Sequence, residues 1–191
     1  MASPSVSYAR SNQTRFLNEL KDLLRIPSVS TLTEHKADVQ KAAEFVAADL
    51  RRIGMENVQV IPTKGHPLVY ADWLHASGKP TVLMYAHYDV QPPDPLNEWI
   101  TPPFEPTERN NNLYARGAVD DKGCIVSMLA ALEQLAARRH ELGVDVIFAA
   151  VIDEERESAG AKALAAMKLP CDGAVILDKP AVIAGQTEEA A

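Results

Sequence analysis

The spacing of apolar residues changes several times along this chain, and each change predicts an element. Between residues 12 and 24, Phe16, Leu17, Leu20, Leu23 and Leu24 recur three and four apart, the period of an amphipathic helix, and Pro27 in "IPSVS" ends the pattern. A second helix is predicted over residues 37–53, where Val39, Ala43, Val46, Leu50 and Ile53 share a face and Gly54 supplies the stop. "NVQVI" and "LVYADWL" then alternate as strands. Residues 82–85 are apolar at every position, as in a strand buried on both faces. "QPPDPLNEWITPPFEPTERNNN" is too rich in Pro and Asn for either period and reads as a long loop, the kind of segment that commonly carries function. "LYARGA" resumes as a strand, and residues 121–139 form a helix around Ile125, Met128, Leu129, Leu132 and Leu135. "VDVIFAAVI", a helix near residues 161–167 and "GAVIL" complete a strand–helix–strand series. Such alternation predicts an α/β fold in three layers, a mixed, mainly parallel sheet with helices on both faces.

The strands of this series end on acids. "VLMYAHYD" finishes on His87 and Asp89, "LYARGAVDD" on Asp120 and Asp121, "VIFAAVIDEE" on Asp153, Glu154 and Glu155, and "GAVILD" on Asp178. In an open parallel sheet the carboxyl ends of the strands share one edge, where ligands bind, so these side chains are expected to converge. Crowded carboxylates repel one another unless something positive sits among them. A divalent metal answers that repulsion. Histidine with Asp and Glu suits zinc, with manganese or cobalt as further occupants, whereas an all-oxygen magnesium site has no need of His87.

Composition narrows the classes of function. The 191 residues are 47% hydrophobic, enough for one substantial core, and carry a net charge of -7, which repels nucleic acid and anionic membranes. Cys124 and Cys171 are far apart with no CxxC pattern, so neither a disulfide framework nor a thiolate zinc cluster is expected. "MASPSVSYARSNQTRF" holds no continuous apolar run, and no segment reaches the ~20 apolar residues of a bilayer span. These features predict a cytoplasmic protein with neither nucleic-acid nor membrane partners.

Three segments, "YAHYDVQP", "LYARGAVDDKG" and "DEERESAG", resemble the motifs of the zinc-dependent peptidase and amidohydrolase family. That family includes carnosinase-like dipeptidases, carboxypeptidase G, aminoacylase, acetylornithine deacetylase and succinyl-diaminopimelate desuccinylase. The likeness runs in order from about residue 16 to residue 178. It implies a zinc-exopeptidase-like fold with one or two zinc ions. His87 is then a ligand of one metal, and Asp89 the carboxylate that orients its imidazole. Asp120 bridges two metals, with a cis peptide bond between Asp120 and Asp121; Asp178 completes the site of the metal held by His87. Glu155 binds the second metal, and Glu154 is the general base. The implied chemistry is amide hydrolysis by metal-activated water. The long loop is most like the dipeptidase branch and "DEERESAG" is nearer the deacetylases, so the expected substrates are dipeptides or N-acyl amino acids.

The family also has a lid and dimerisation domain and a later histidine ligand, which these 191 residues lack. Residues 1–191 are accordingly expected to form a single catalytic-type domain, truncated relative to the family, with one tightly held ion and a tendency to form homo-oligomers. A weakly active or inactive assembly module retaining one metal site is the alternative. Other candidates read as structural. His35, His66, His75 and His140 fall in polar or turn contexts and are expected to be solvated; Cys124 reads as a packed thiol, and Trp99 and Phe104 as apolar plugs of their loop. "RGAVDDKG" lacks the spacing of a phosphate loop, and no GxSxG is present.

Overall fold

A computed structural model describes residues 3–136, 143–152 and 159–177. The chain opens with α1 (Pro4–Ser11), whose first turn is capped by the Ser3 hydroxyl accepting from the Val6 N–H at 3.3 Å. Sequence periodicity did not predict α1 because it buries no residue and so has no apolar stripe. The next two helices fall where the pattern put them, α2 at Gln13–Leu24 and α3 at Lys36–Arg52. Gly54, at φ 82°, ends α3. The Met55 N–H bonds Leu50 O at 2.9 Å and the Gly54 N–H bonds Arg51 O at 3.0 Å, a Schellman closure that requires the left-handed residue.

Strands β1 (Glu56–Ile61), β2 (Leu68–Trp73) and β3 (Thr81–His87) follow, then a short hairpin of β4 (Thr107–Arg109) and β5 (Asn112–Tyr114). The chain continues through α4 (Lys122–Ala136), β6 (Asp145–Val151), α5 (Ala159–Ala166) and β7 (Gly173–Ile176). The sheet is mixed, in the order β1-β2-β6-β3-β7. β1 and β2 run antiparallel to their neighbours, while β6, β3 and β7 are mutually parallel.

Side chains divide between the two faces with the strand period of two. Val69, Ala71, Val146, Phe148 and Ala150 join one core with Leu23, Val39, Val46, Leu50, Ile125 and Leu129 from α2, α3 and α4. Leu68, Tyr70, Ile147, Ala149 and Val151 face the other way, toward Ala163 and Leu164 of α5. The three layers are therefore present. β2 is buried on both faces rather than alternating, because β1 and β6 flank it and both helical layers cover it. In β3, residues 81–85 are only half-buried and full burial begins at Ala86.

Two further expectations need correction. The "LYARGA" segment is not a strand of the main sheet; only Asn112–Tyr114 is extended, and it pairs with β4. The Asn110 and Asn111 turn, at φ 49° and 62°, reverses the chain there, so part of the long loop is a hairpin. Trp99 and Phe104 are half-buried within that loop, and the indole N–H of Trp99 donates to Pro93 O at 2.8 Å. Cys124 is buried as a packed thiol. No helix among the described residues is long and apolar enough to cross a membrane.

A groove of about 650 Å³ lies between α1, α2 and α4, lined by Tyr8, Phe16, Leu20, Val126 and Ala130. Among the described acids at the strand ends, none of Asp89, Asp120 and Asp121 lines it. Cavity size therefore does not mark the chemistry.

Candidate metal centre

β3 ends on His87, and the register of its neighbours fixes what lies beside it. His87 pairs with Val151, the last residue of β6, and Tyr85 pairs with Ile176, the last residue of β7. The parallel strands therefore finish at one edge, where the sequence pattern placed the acids. Past His87 the chain stays extended: the Tyr88 N–H reaches Val151 O at 3.2 Å, and Val90 forms a parallel bridge with Val29.

His87 is fully buried with a carboxylate near each ring nitrogen. Nε2 lies 2.9 Å from Asp120 Oδ1, and Nδ1 lies 3.4 Å from Asp89 Oδ1 and 3.2 Å from the Asp89 carbonyl oxygen. Asp121 accepts the backbone N–H of His87 at 3.0 Å. The bond between Asp120 and Asp121 is cis, as the resemblance implies, and these adjacent carboxylates both address the same histidine. Asp120 and Asp121 reach the sheet edge from the turn before α4 rather than from a core strand. Burial opposes the imidazolium, but the Asp89 carboxylate, aided by Asp121 and Asp120, outweighs it and pushes the His87 pKa up to about 9.

Asp89 is itself fully buried. Its Oδ2 accepts from the Ser30 hydroxyl at 2.6 Å, while Oδ1 accepts no hydrogen bond among the described residues and has the His87 ring as its ion-pair partner. Beneath the site, Lys122 is fully buried and donates to Leu23 O at 3.1 Å and Ile26 O at 2.6 Å. Burial pushes its amine down to about 7, against the pull of Asp89 and Asp38.

These residues suit a metal in chemistry, an imidazole beside carboxylates. His87 Nε2 and Asp120 Oδ1 stand 2.9 Å apart, in direct hydrogen-bond contact and closer than the ~3.4 Å that separates two ligands of a tetrahedral zinc ion. The second ring nitrogen faces a buried carboxylate, the arrangement that fixes a ligating histidine. Among the described residues no three His, Cys, Asp or Glu side chains form a ligand cluster. Glu154, Glu155 and Asp178 lie outside the described residues, as does His140.

Ser30 and Lys122 were missed by sequence reasoning. "IPSVS" registered only as a helix break, and a lysine beside two aspartates reads as solvated. The available signal was a serine-rich extended segment next to a buried helix end. His66 was also misread: half-buried, its Nε2 lies 3.1 Å from Ser30 O. His75 is exposed beside Glu56, and His35 pairs with Asp38 at 2.8 Å.

The chain matches the model of "Peptidase family M20/M25/M40" over residues 83–188, more than half its length. It is similar to the Beta-Ala-His dipeptidase of Rattus norvegicus, with 31% identity over 171 residues that make up 82% of this chain and 34% of that protein. Human carnosine dipeptidase 1 superposes with a TM-score of 0.82 at 27% identity, covering 91% of this chain and 40% of that one. The M20 family metallo-carboxypeptidase Sso-CP2 of Sulfolobus solfataricus gives 0.75 at 34% identity, over 85% and 37%. The chain spans about a third of the length of the curated relatives it matches.

Proposed function

The chain belongs to peptidase family M20/M25/M40, and from that premise we propose that residues 1–191 form a catalytic-type domain of a cytoplasmic, metal-dependent hydrolase of amide bonds. The observation that carries this reading is His87 held between two carboxylates, with Nε2 turned to Asp120 and Nδ1 to Asp89 at the shared strand edge. Dipeptides and N-acyl amino acids are the substrate classes, in keeping with the named activity of the dipeptidase and desuccinylase relatives.

Zinc is the ion this reading assigns, with manganese or cobalt able to replace it; His87, Asp120 and Asp178 would hold it, and Asp120 and Glu155 would offer a place for a second. When bound, the metal lowers the pKa of a coordinated water and polarises the scissile carbonyl. Glu154 takes the proton of the attacking water and returns it to the leaving amine. Asp89 fixes the orientation of the His87 imidazole, which would present Nε2 as the ligand atom.

The test joins metal analysis of the purified protein to hydrolysis of β-alanyl-histidine, cysteinyl-glycine and N-acyl amino acids. Zinc uptake with turnover that falls at least a hundredfold in Glu154→Gln supports the reading. Zinc uptake without turnover of any of these substrates supports the assembly module instead, and full activity in Glu154→Gln overturns the assigned base. Homo-oligomer formation is checked in the same samples by light scattering over a range of concentrations.

A further inference from the structure

The "IPSVS" segment lies 59 positions before Asp89 in the case of Ser30, yet it is built into the centre as firmly as the strands are. Residues 26–30 are fastened at successive points. The Lys122 amine holds Ile26 O at 2.6 Å, and the Ser28 hydroxyl donates to Tyr88 O at 2.6 Å. The Val90 N–H returns to Ser28 O at 3.1 Å, and Val29 bridges Val90 in parallel. Ser28 is 0% exposed and Ser30 4%, so neither hydroxyl has ready access to solvent.

Among the described residues these fastenings leave the Ser30 hydroxyl with one acceptor, Asp89 Oδ2 at 2.6 Å. A carboxylate bonded through one oxygen cannot rotate freely, so its other oxygen stays aimed at the His87 Nδ1 edge, 3.4 Å away. We infer that Ser30 is a positioning residue of the metal centre: it locks the Asp89 carboxylate, which sets the ring of His87 and the direction of its Nε2. Ser28, two residues earlier, bonds only a backbone carbonyl and serves the segment rather than the histidine. The inference rests on the reading of His87 as a metal ligand given above, and extends it by one residue beyond the acid.

Two readouts test it. Zinc affinity is measured by chelator competition, and the ring nitrogens of His87 are followed by NMR in metal-free, histidine-labelled protein, with the signal assigned by its loss in His87→Ala. In Ser30→Ala the zinc affinity falls about tenfold and the His87 nitrogen shifts move. Ser30→Cys, which keeps the volume with a weak S–H donor, gives the same losses without opening a void. Ser30→Thr, which retains the hydroxyl, keeps affinity close to wild type. Ser28→Ala loses a buried hydrogen bond of the same kind but leaves zinc affinity within about twofold.

Unchanged zinc affinity and unchanged His87 shifts in folded Ser30→Ala and Ser30→Cys overturn the assignment. So does an equal loss of affinity in Ser28→Ala, since that reports general weakening of the segment. If the wild-type protein takes up no zinc, the ligand reading fails by itself, and the His87 shifts in the serine variants still decide whether Ser30 sets the ring.

Discussion

His87 can serve as a ligand only if one ring nitrogen carries its proton away from the ion, and Asp89 is placed to receive that proton on Nδ1. Asp89→Asn retains the shape and the Ser30 contact but offers a weaker, uncharged partner to the ring. Zinc affinity in Asp89→Asn should drop ten- to a hundredfold, measured by chelator competition, with the far-ultraviolet circular dichroism unchanged. His87→Ala removes the imidazole and should abolish tight binding. Retention of wild-type affinity in both variants would place the ion elsewhere. Of the residues in this arrangement, His87 and Asp89 stood out in the sequence because they close an apolar run, and Asp120 through the resemblance carried by "LYARGAVDDKG", since its segment is a turn rather than a core strand. Ser30 and Lys122 were not legible, since a serine carries no periodic signal and a lysine is ordinarily on the surface. What makes each of them part of the site is a contact across more than fifty residues.

The helices α2 and α3 were legible because burial on one side writes a period into the chain, and β6 and β7 because their apolar runs are continuous; with α4, all fall within a few residues of their sequence positions. The helix α1 and the β4–β5 hairpin carry neither signal. The same limit hides close backbone approaches. Gly123 lies in the first turn of α4, and a Cβ there would stand 2.2 Å from the Ala118 carbonyl oxygen. That oxygen belongs to the turn carrying Asp120 and Asp121, so it cannot retreat without moving both carboxylates away from His87. Gly123→Ala should therefore destabilise the fold by about 1–3 kcal/mol and weaken zinc binding as well. Urea unfolding with and without zinc separates the effects. Loss of stability with unchanged zinc affinity would mean that the turn adjusts without displacing Asp120.

Glu133, with Glu19 beside it, joins the helical layer at its outer end. Glu133 of α4 accepts from Tyr8 of α1 at 2.5 Å, from Arg15 of α2 at 3.0 Å and from Arg52 of α3 at 2.8 Å, so four helices meet on a single side chain. Burial favours the neutral acid, but the hydrogen bonds from Arg15, Tyr8 and Arg52 outweigh it and pull the Glu133 pKa from 4.5 down to about 2. A carboxylate whose pKa is lower in the folded chain than in the unfolded one stabilises the fold above the unfolded value, and that contribution disappears as pH falls through the folded value. Here the window runs from about 4.5 to about 2. Full conversion of the shift gives ~3 kcal/mol, but the side chains of Arg15 and Arg52 are 36% and 43% exposed, and solvent screens their charges. A contribution of about 1–2 kcal/mol remains. Glu133→Gln should therefore be less stable than the wild type by that amount at neutral pH, with the difference shrinking steadily between pH 4.5 and pH 2. The rest of the sequence is unchanged, so the difference in urea-unfolding stability reads the loss of the Glu133 charge together with its arginine contacts. A difference that stays constant down to pH 2 would show that Glu133 acts through packing, with its charge contributing nothing to the joining of the helices.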